Sequence, residues 1–450
     1  MKKLAKILIC MILCVFTMGL VACGSDGDGD FDNITGTVYG NGGMVVTKGD
    51  YVFFVNGFMK AEDMTEKEDN YTGDKVGALI VAKLDADGEL VLDENELLDD
   101  ENYRVLSAKL AGFEASDLSI HGDYLYFTSP CQQDADKEWA KKRVDFCRIK
   151  LSGGDVERIY QSEVEHEKLE FAYYENEGVY LMVWEKEANL DNAEVENVLY
   201  CVDATSCNKV TVAEDVQSVS ISDNNAKYVY FVKKNDEEKN VLVRYNYAAN
   251  KQDDIKTADS LEVKFADSKY AYIVQSSSES GTRKELARAG VEAGDQFTRV
   301  CYSDLYENLY LTPDGSAVIA QAKGYVDCYQ FGSTVAKTLV AEGVDDTITL
   351  VGIANGSFVY INGSNEIKSV SYSNVIAGKV APVITIAKVE NVDTTYFDID
   401  DEYAYFYKTI NDTKYLHRLL INNNESTSSE EFLGIYMDKD IPEVEEPVEE

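Results

Sequence analysis

Three histidines, nine cysteines and 81 acidic residues are the groups with which this 450-residue chain could do chemistry. The histidines are scattered: His121 reads as a turn residue in IHGDY, His166 as part of a charged loop in VEHEKL, and His417 as a strand residue in YLHRLL. None adjoins a nucleophile motif, and no G-x-S-x-G occurs, so acyl transfer has no signature in the sequence. A Ser-His-Asp site assembled only in space stays open, because such sites are recognised by geometry. Carboxylate pairs of the glycosidase kind cannot be singled out among so many acids. No glycine loop of the phosphate-cradling type is present. Two acidic stretches imitate a calcium loop and fail. The one starting at Asp26 has Phe31 and Thr37 where glycine and glutamate are required, and the one from Asp85 to Glu96 has Leu90 in place of glycine. Neither a metal nor another cofactor is expected.

The cysteines say more. Lys2, Lys3 and Lys6 precede an uncharged, mostly apolar run over 7–22, which is short for a membrane span. The run closes on Leu20-Val21-Ala22-Cys23-Gly24, the lipobox pattern of a bacterial lipoprotein. Residues 1–22 therefore read as a lipoprotein signal peptide, with Cys23 as the lipidation site. Several acyl chains on one residue give a stable anchor where one chain does not. The expected partner is the lipid bilayer, and the expected location is the extracytoplasmic face of the cell membrane. Cys10 and Cys14 leave with the signal, so Cys131, Cys147, Cys201, Cys207, Cys301 and Cys328 remain. An exported chain can form disulfides. Cys201 and Cys207 flank a short turn and are the expected pair, with buried reduced thiols as the alternative. No C-x-x-C occurs, so zinc and thioredoxin-type chemistry lack support.

The elements that must position these groups come from a repeat. A turn pair, an apolar residue, any residue and two mostly apolar residues recur as GDYVFF at Tyr51, GDYLYF at Tyr124, EGVYLM at Val179, AKYVYF at Tyr228, SKYAYI at Tyr270, GSAVIA at Ala317, GSFVYI at Phe358 and DEYAYF at Tyr403. After a first gap of 73 residues the spacings run from 41 to 55, close to the period of a four-stranded propeller blade. A short alternating segment precedes each signal. A third run follows it, and in several repeats a weaker fourth. Tyr, Val and Ile enrichment with Asp, Asn, Gly and Ser turns marks them as strands and hairpins. The expected fold is all-β, a β-propeller of four-stranded antiparallel blades, eight favoured and seven the alternative. Within the long first gap, 93–112 could form a short helix. The domain reading is signal 1–22, lipidated Cys and acidic tether 23–42, a single propeller 43–437, and a disordered acidic tail 438–450.

The opening GTVYGNGGMVVTKGDYVFFVNG, behind a lipobox and an acidic spacer, resembles that of exported propeller lipoproteins of Gram-positive anaerobes. These carry a domain of unknown function similar to the propeller of low-density-lipoprotein-receptor-related proteins. The resemblance implies a membrane-tethered propeller without an established activity. The chain departs from it in showing eight repeats where six blades are usual, and in lacking the YWTD tetrapeptide.

Charge narrows the partners. Net charge is −39, and −42 once 1–22 and its three lysines are gone, so nucleic-acid binding is excluded. The leading expectation is a monomeric binding or scaffold module for a protein partner. A glycan or peptide receptor acting through the central funnel and a propeller hydrolase or lyase are the alternatives. The connections between second and third strands are long in the first three repeats (57–76, 130–143, 186–196) and short in the last three. Met59, Met64, Tyr71, Trp139 and Trp184 lie in or beside the long ones and are the candidate partner-binding residues, Trp139 as anchor.

Overall fold

The computed structural model describes residues 31–434 apart from 58–76, 93–97, 99–100, 108–117, 131–143, 163–165, 188–196, 222–226, 278, 280, 291–295, 334, 342–347, 355, 411–412 and 422–429. Eight antiparallel sheets follow one another along the chain, each with its strands paired in chain order; the first has five strands and the other seven have four. The first strand of each four-strand blade is Val45–Lys48, Ser119–His121, His166–Glu175, Val216–Ser220, Leu261–Ala266, Asn308–Leu311, Ile348–Ala354 or Val392–Ile399. All eight signal motifs open second strands, to within one residue. The degenerate sixth repeat is a complete sheet with Ala317–Ala322 as its second strand. The protein is an all-β, eight-bladed propeller.

Packing explains why the second strands read as apolar runs. Ala317–Ala322 and Ser357–Asn362 are buried along their whole length. A strand covered on both faces needs no polar alternation. Eight apolar clusters sit one at each blade junction. Phe53 meets Phe127 between blades 1 and 2, and Trp184 meets Phe231 between blades 3 and 4. Ile361 meets Phe406 between blades 7 and 8, and Phe54 meets Tyr405 between blades 8 and 1. The last cluster closes the ring.

Among the described residues no strand is shared across that closure, since blade 1 lies within 38–107 and blade 8 within 392–433. Side chains and a glycine-rich segment do the joining. The Met44 N–H donates to Asp398 Oδ2 at 2.8 Å. Asp398 is half-buried, and desolvation of its carboxyl raises it above the usual range. A Cβ on Gly43 would lie 2.4 Å from the same oxygen, so only glycine fits there. On the other side Asn41 imitates a strand. Its Nδ2 donates to Ile120 O at 3.0 Å and its Oδ1 accepts from Ile120 N at 2.7 Å. Gly42 N donates to Leu118 O at 2.8 Å and Leu118 N to Gly43 O at 2.9 Å. Residues 41–44 thus stitch blades 8, 1 and 2, and they satisfy inner-strand edges that would otherwise be open.

Two expectations are corrected. The acidic tether does not reach residue 42: Phe31 and Ile34 are buried in the cluster between blades 1 and 2. Val38–Tyr39 then pairs with Val45–Lys48 as a fifth, innermost strand of blade 1. The helix expected within 93–112 is also absent from its described part, where Tyr103–Ser107 is the fourth strand of blade 1. The tertiary demand for a blade edge overrides local helix propensity there. The α-helix found among the described residues, Tyr372–Ile376, is capped by Ser371, whose Oγ accepts from Asn374 N at 3.2 Å.

Candidate functional site

A four-stranded blade in chain order sends its 1–2 and 3–4 turns to one face of the ring and its 2–3 connections to the other. The second and third strands fix how much chain each 2–3 connection carries. They end and begin at Val55 and Leu79 in blade 1, Pro130 and Val144 in blade 2, and Glu187 and Asn197 in blade 3. In blades 6, 7 and 8 the pairs are Ala322 and Tyr325, Asn362 and Glu366, and Ile410 and Thr413. One face is therefore lopsided, with its extra chain over the first three blades.

The roots of these connections are pinned. In blade 1, Asn56 N donates to Ala78 O at 2.8 Å and Gly77 N to Asn56 O at 2.6 Å. In blade 2, Val144 N donates to Ser162 Oγ at 2.9 Å and Gln161 Nε2 to Asp145 Oδ1 at 3.0 Å. Between blades 2 and 3, Tyr160 Oη donates to the buried Glu185 Oε1 at 2.7 Å. Buried polar groups satisfied in this way hold the flanking strand ends in one arrangement. A connection on such a base is mounted on a rigid scaffold.

Of the candidate residues, Met59, Met64, Tyr71 and Trp139 lie outside the described residues, as does Cys23. Trp184 is corrected: it is 6% exposed and packs in the blade 3–4 core, so it is not a surface anchor. Its strand Val179–Glu187 holds it there, just before the connection as the sequence places it. Cys201 and Cys207 are not joined. Cys201 is buried in a strand, where burial pushes its thiol up to about 11. Cys207 stands exposed in the following turn with φ 57°.

His121 is also corrected, from a turn to the buried end of an inner strand. Its Nδ1 lies 3.1 Å from Glu175 Oε2 on the inner strand of blade 3. His417 is the strand residue expected; its Nδ1 lies 2.7 Å from Glu430 Oε1. Burial outweighs these carboxylates and lowers both imidazoles, so both are neutral near pH 7. Among the described residues neither has a serine or cysteine nucleophile as a hydrogen-bond or ion-pair partner. Among the described residues no group of three or more His, Cys, Asp or Glu has the arrangement to hold a metal ion.

A recurrent triad escaped the sequence reading. In blades 2, 4 and 8 an arginine on the third strand lies over the tyrosine at the start of the second strand and pairs with an acid on the fourth. Arg148 sits 4.6 Å from the Tyr124 ring, with Nε 2.8 Å from Glu157. Arg244 sits 4.7 Å from Tyr228 and 3.2 Å from Asp253. Arg418 sits 4.2 Å from Tyr403 and 2.5 Å from Glu431. Blade 5 keeps Arg288 over Tyr270 at 4.4 Å, adds Phe331 of blade 6 at 3.7 Å, and has Thr298 in place of the acid. The signal was the arginine shared by FCRIKL, LVRYNY, LARAGV and LHRLLI. These triads lie within the blades and serve their packing.

No family model and no curated protein matches the chain. Solved structures do. The chain is similar to the β-propeller domain of the Trilobed protease from Pyrococcus furiosus at 12% identity and TM-score 0.43, covering 72% of this chain and 99% of that one. It is similar to an acylaminoacyl peptidase in complex with Z-Gly-Gly-Phe-chloromethyl ketone at 10% identity and TM-score 0.39, covering 60% of this chain and 46% of that one. It is similar to a puromycin-hydrolyzing peptidase of Mycobacterium tuberculosis at 12% identity and TM-score 0.40, covering 70% and 52%. The match thus spans about half the length of those two peptidases.

Proposed function

We propose that the chain is an extracytoplasmic binding or scaffold module, held to the cell membrane by acyl chains on Cys23, that engages a protein partner through the 2–3 connections of blades 1–3. One observation carries the binding half: the chain between second and third strands is long in those blades and minimal in blades 6–8, all on one face, over pinned strand ends. Long connections in a compact domain are a common place for function. The anchoring half rests on the lipobox at 20–23. A binding role also agrees with the two described imidazoles whose side chains are placed, since both are neutral, buried and engaged with carboxylates inside the ring. The test is a photo-crosslinking amino acid at 139 in cells, with a second chain carrying it at 323 in the short blade 6 turn. Position 139 should give a discrete adduct and position 323 none. Cys23→Ser should release the protein from the membrane fraction or leave it unprocessed. Equal adducts at both positions, or unchanged fractionation of Cys23→Ser, would defeat the respective half.

A further inference from the structure

The path of the N-terminal segment sets which way an anchored propeller faces. Phe31 is fully buried. Its ring lies 5.6 Å from the Tyr51 ring, edge-on, with the Arg104 guanidinium 5.2 Å and Lys83 Nζ 5.6 Å from its centroid. Beside it Asp32 pairs with Arg104 at 3.0 Å, and Arg104 also donates to Ser152 O at 3.1 Å. Every partner belongs to one face. Tyr51 follows the 1–2 turn of blade 1. Lys83 ends its third strand and Arg104 stands at the start of its fourth. Ser152 lies in the 3–4 turn of blade 2. From Phe31 the chain runs inward, with Gly49 N donating to Thr37 O at 3.1 Å at the same 1–2 turn, and then into the extra strand Val38–Tyr39.

We infer that Phe31 and Asp32 fasten the leader to the 1–2/3–4 turn face, so that an anchor at Cys23 holds this face toward the bilayer and turns the long 2–3 connections away from it. The inference rests on the anchoring reading for its biological setting and on the docked segment for its geometry. Residues 24–30 reach about 25 Å at full extension. A strand such as Val144–Lys150, with seven residues, is about 20 Å long. The tether is thus long enough to keep the body off the surface, and its shortest path to the bilayer leaves directly from the turn face; turning the far face to the membrane would use almost its whole reach in running along the side of the ring. Asp85, Asp87, Glu89, Asp123 and Asp155 are exposed in the turns around the exit. They oppose close approach to anionic lipid within a Debye length of about 8–10 Å. The turn face then stands above the bilayer, and the opposite face is free for a partner approaching from outside.

The test separates geometry from lipidation. The chain 23–450 with Cys23→Ser, Cys131→Ser and Cys207→Ser carries a hexahistidine tag ahead of residue 23 and is held on neutral vesicles containing a nickel-chelating lipid. A donor dye is placed through Asp87→Cys on the turn face or Lys323→Cys on the opposite face, both exposed positions. Energy transfer to an acceptor in the vesicle surface should be greater from 87 than from 323. Phe31→Ala should bring the two efficiencies together. Should that variant not fold, Arg104→Gln leaves the ring buried but removes the ion pair and stacking, and it should narrow the gap. Equal transfer from 87 and 323 in the parent, greater transfer from 323, or an undiminished gap in a folded variant would overturn the inference. Because the tag supplies the attachment, such a result is distinct from retention of Cys23→Ser on cell membranes, which would defeat the lipoprotein reading.

Discussion

At the scale of single residues, the interior polar groups are fitted to one ionisation state. His121 and His417 are buried with imidazoles lowered below 6.5, burial being the first cause in both. An unfolded histidine binds a proton near pH 6.5, while the native one resists, so the unfolded state holds more protons in mild acid. The stability these residues contribute is complete above about pH 7. It is lost as pH falls through 6.5 toward the native value. The melting temperature should therefore drop between pH 7 and pH 5, and less steeply in a His121→Gln, His417→Gln double variant. Identical slopes would show that other groups govern this window. The burial of Trp184 and His121 was not legible in the sequence, because a turn motif fixes where a strand begins and not what its side chains pack against. The lipobox and the GNGG segment could be read, but the segment's role could not: its partners Leu118, Ile120 and Asp398 lie up to 354 residues away.

At the scale of the element, each blade is held by hydrogen bonds along its strands and, in four blades, by an arginine clamped on tyrosine. The clamps differ in depth. Arg418 has 3% side-chain exposure and Glu431 18%. Arg148 and Arg244 face partners at 49% and 33% exposure. Breaking a buried pair strands its partner and costs about 3–5 kcal/mol, while exposed pairs are worth about 1 kcal/mol or less. Denaturant melts should rank Arg418→Ala as the most damaging, with Arg148→Ala and Arg244→Ala each costing less; equal losses would mean that depth does not set the strength of the clamp. Strand order and blade boundaries were legible because every second strand follows the same turn chemistry. The fourth strand of blade 1 was misread as helix-prone, since Tyr103–Ser107 carries no period of its own and is fixed by pairing with Leu79–Lys83.

At the scale of the whole molecule, a ring of eight blades is closed by side chains where blade 8 meets blade 1, and its two faces differ. One carries the docked N-terminal segment, the other the unequal connections. The repeat made the ring legible in advance. The exit of the leader was not, because Phe31 sits in what reads as a polar tether and its docking depends on Arg104 and Tyr51. Binding through the lopsided face is the central claim, and its most direct measurement is the affinity of the purified chain for the protein crosslinked at 139. The comparison needs two variants. One replaces 131–142 with a short Gly-Ser turn; the other carries Lys323→Ala and Ser364→Ala, both exposed, in the short turns of blades 6 and 7. Removing a surface connection costs little stability, so the first variant should keep its melting temperature and lose binding at least tenfold, while the second binds as the parent does. Undiminished binding by the shortened chain, with loss in the second variant, would contradict the account.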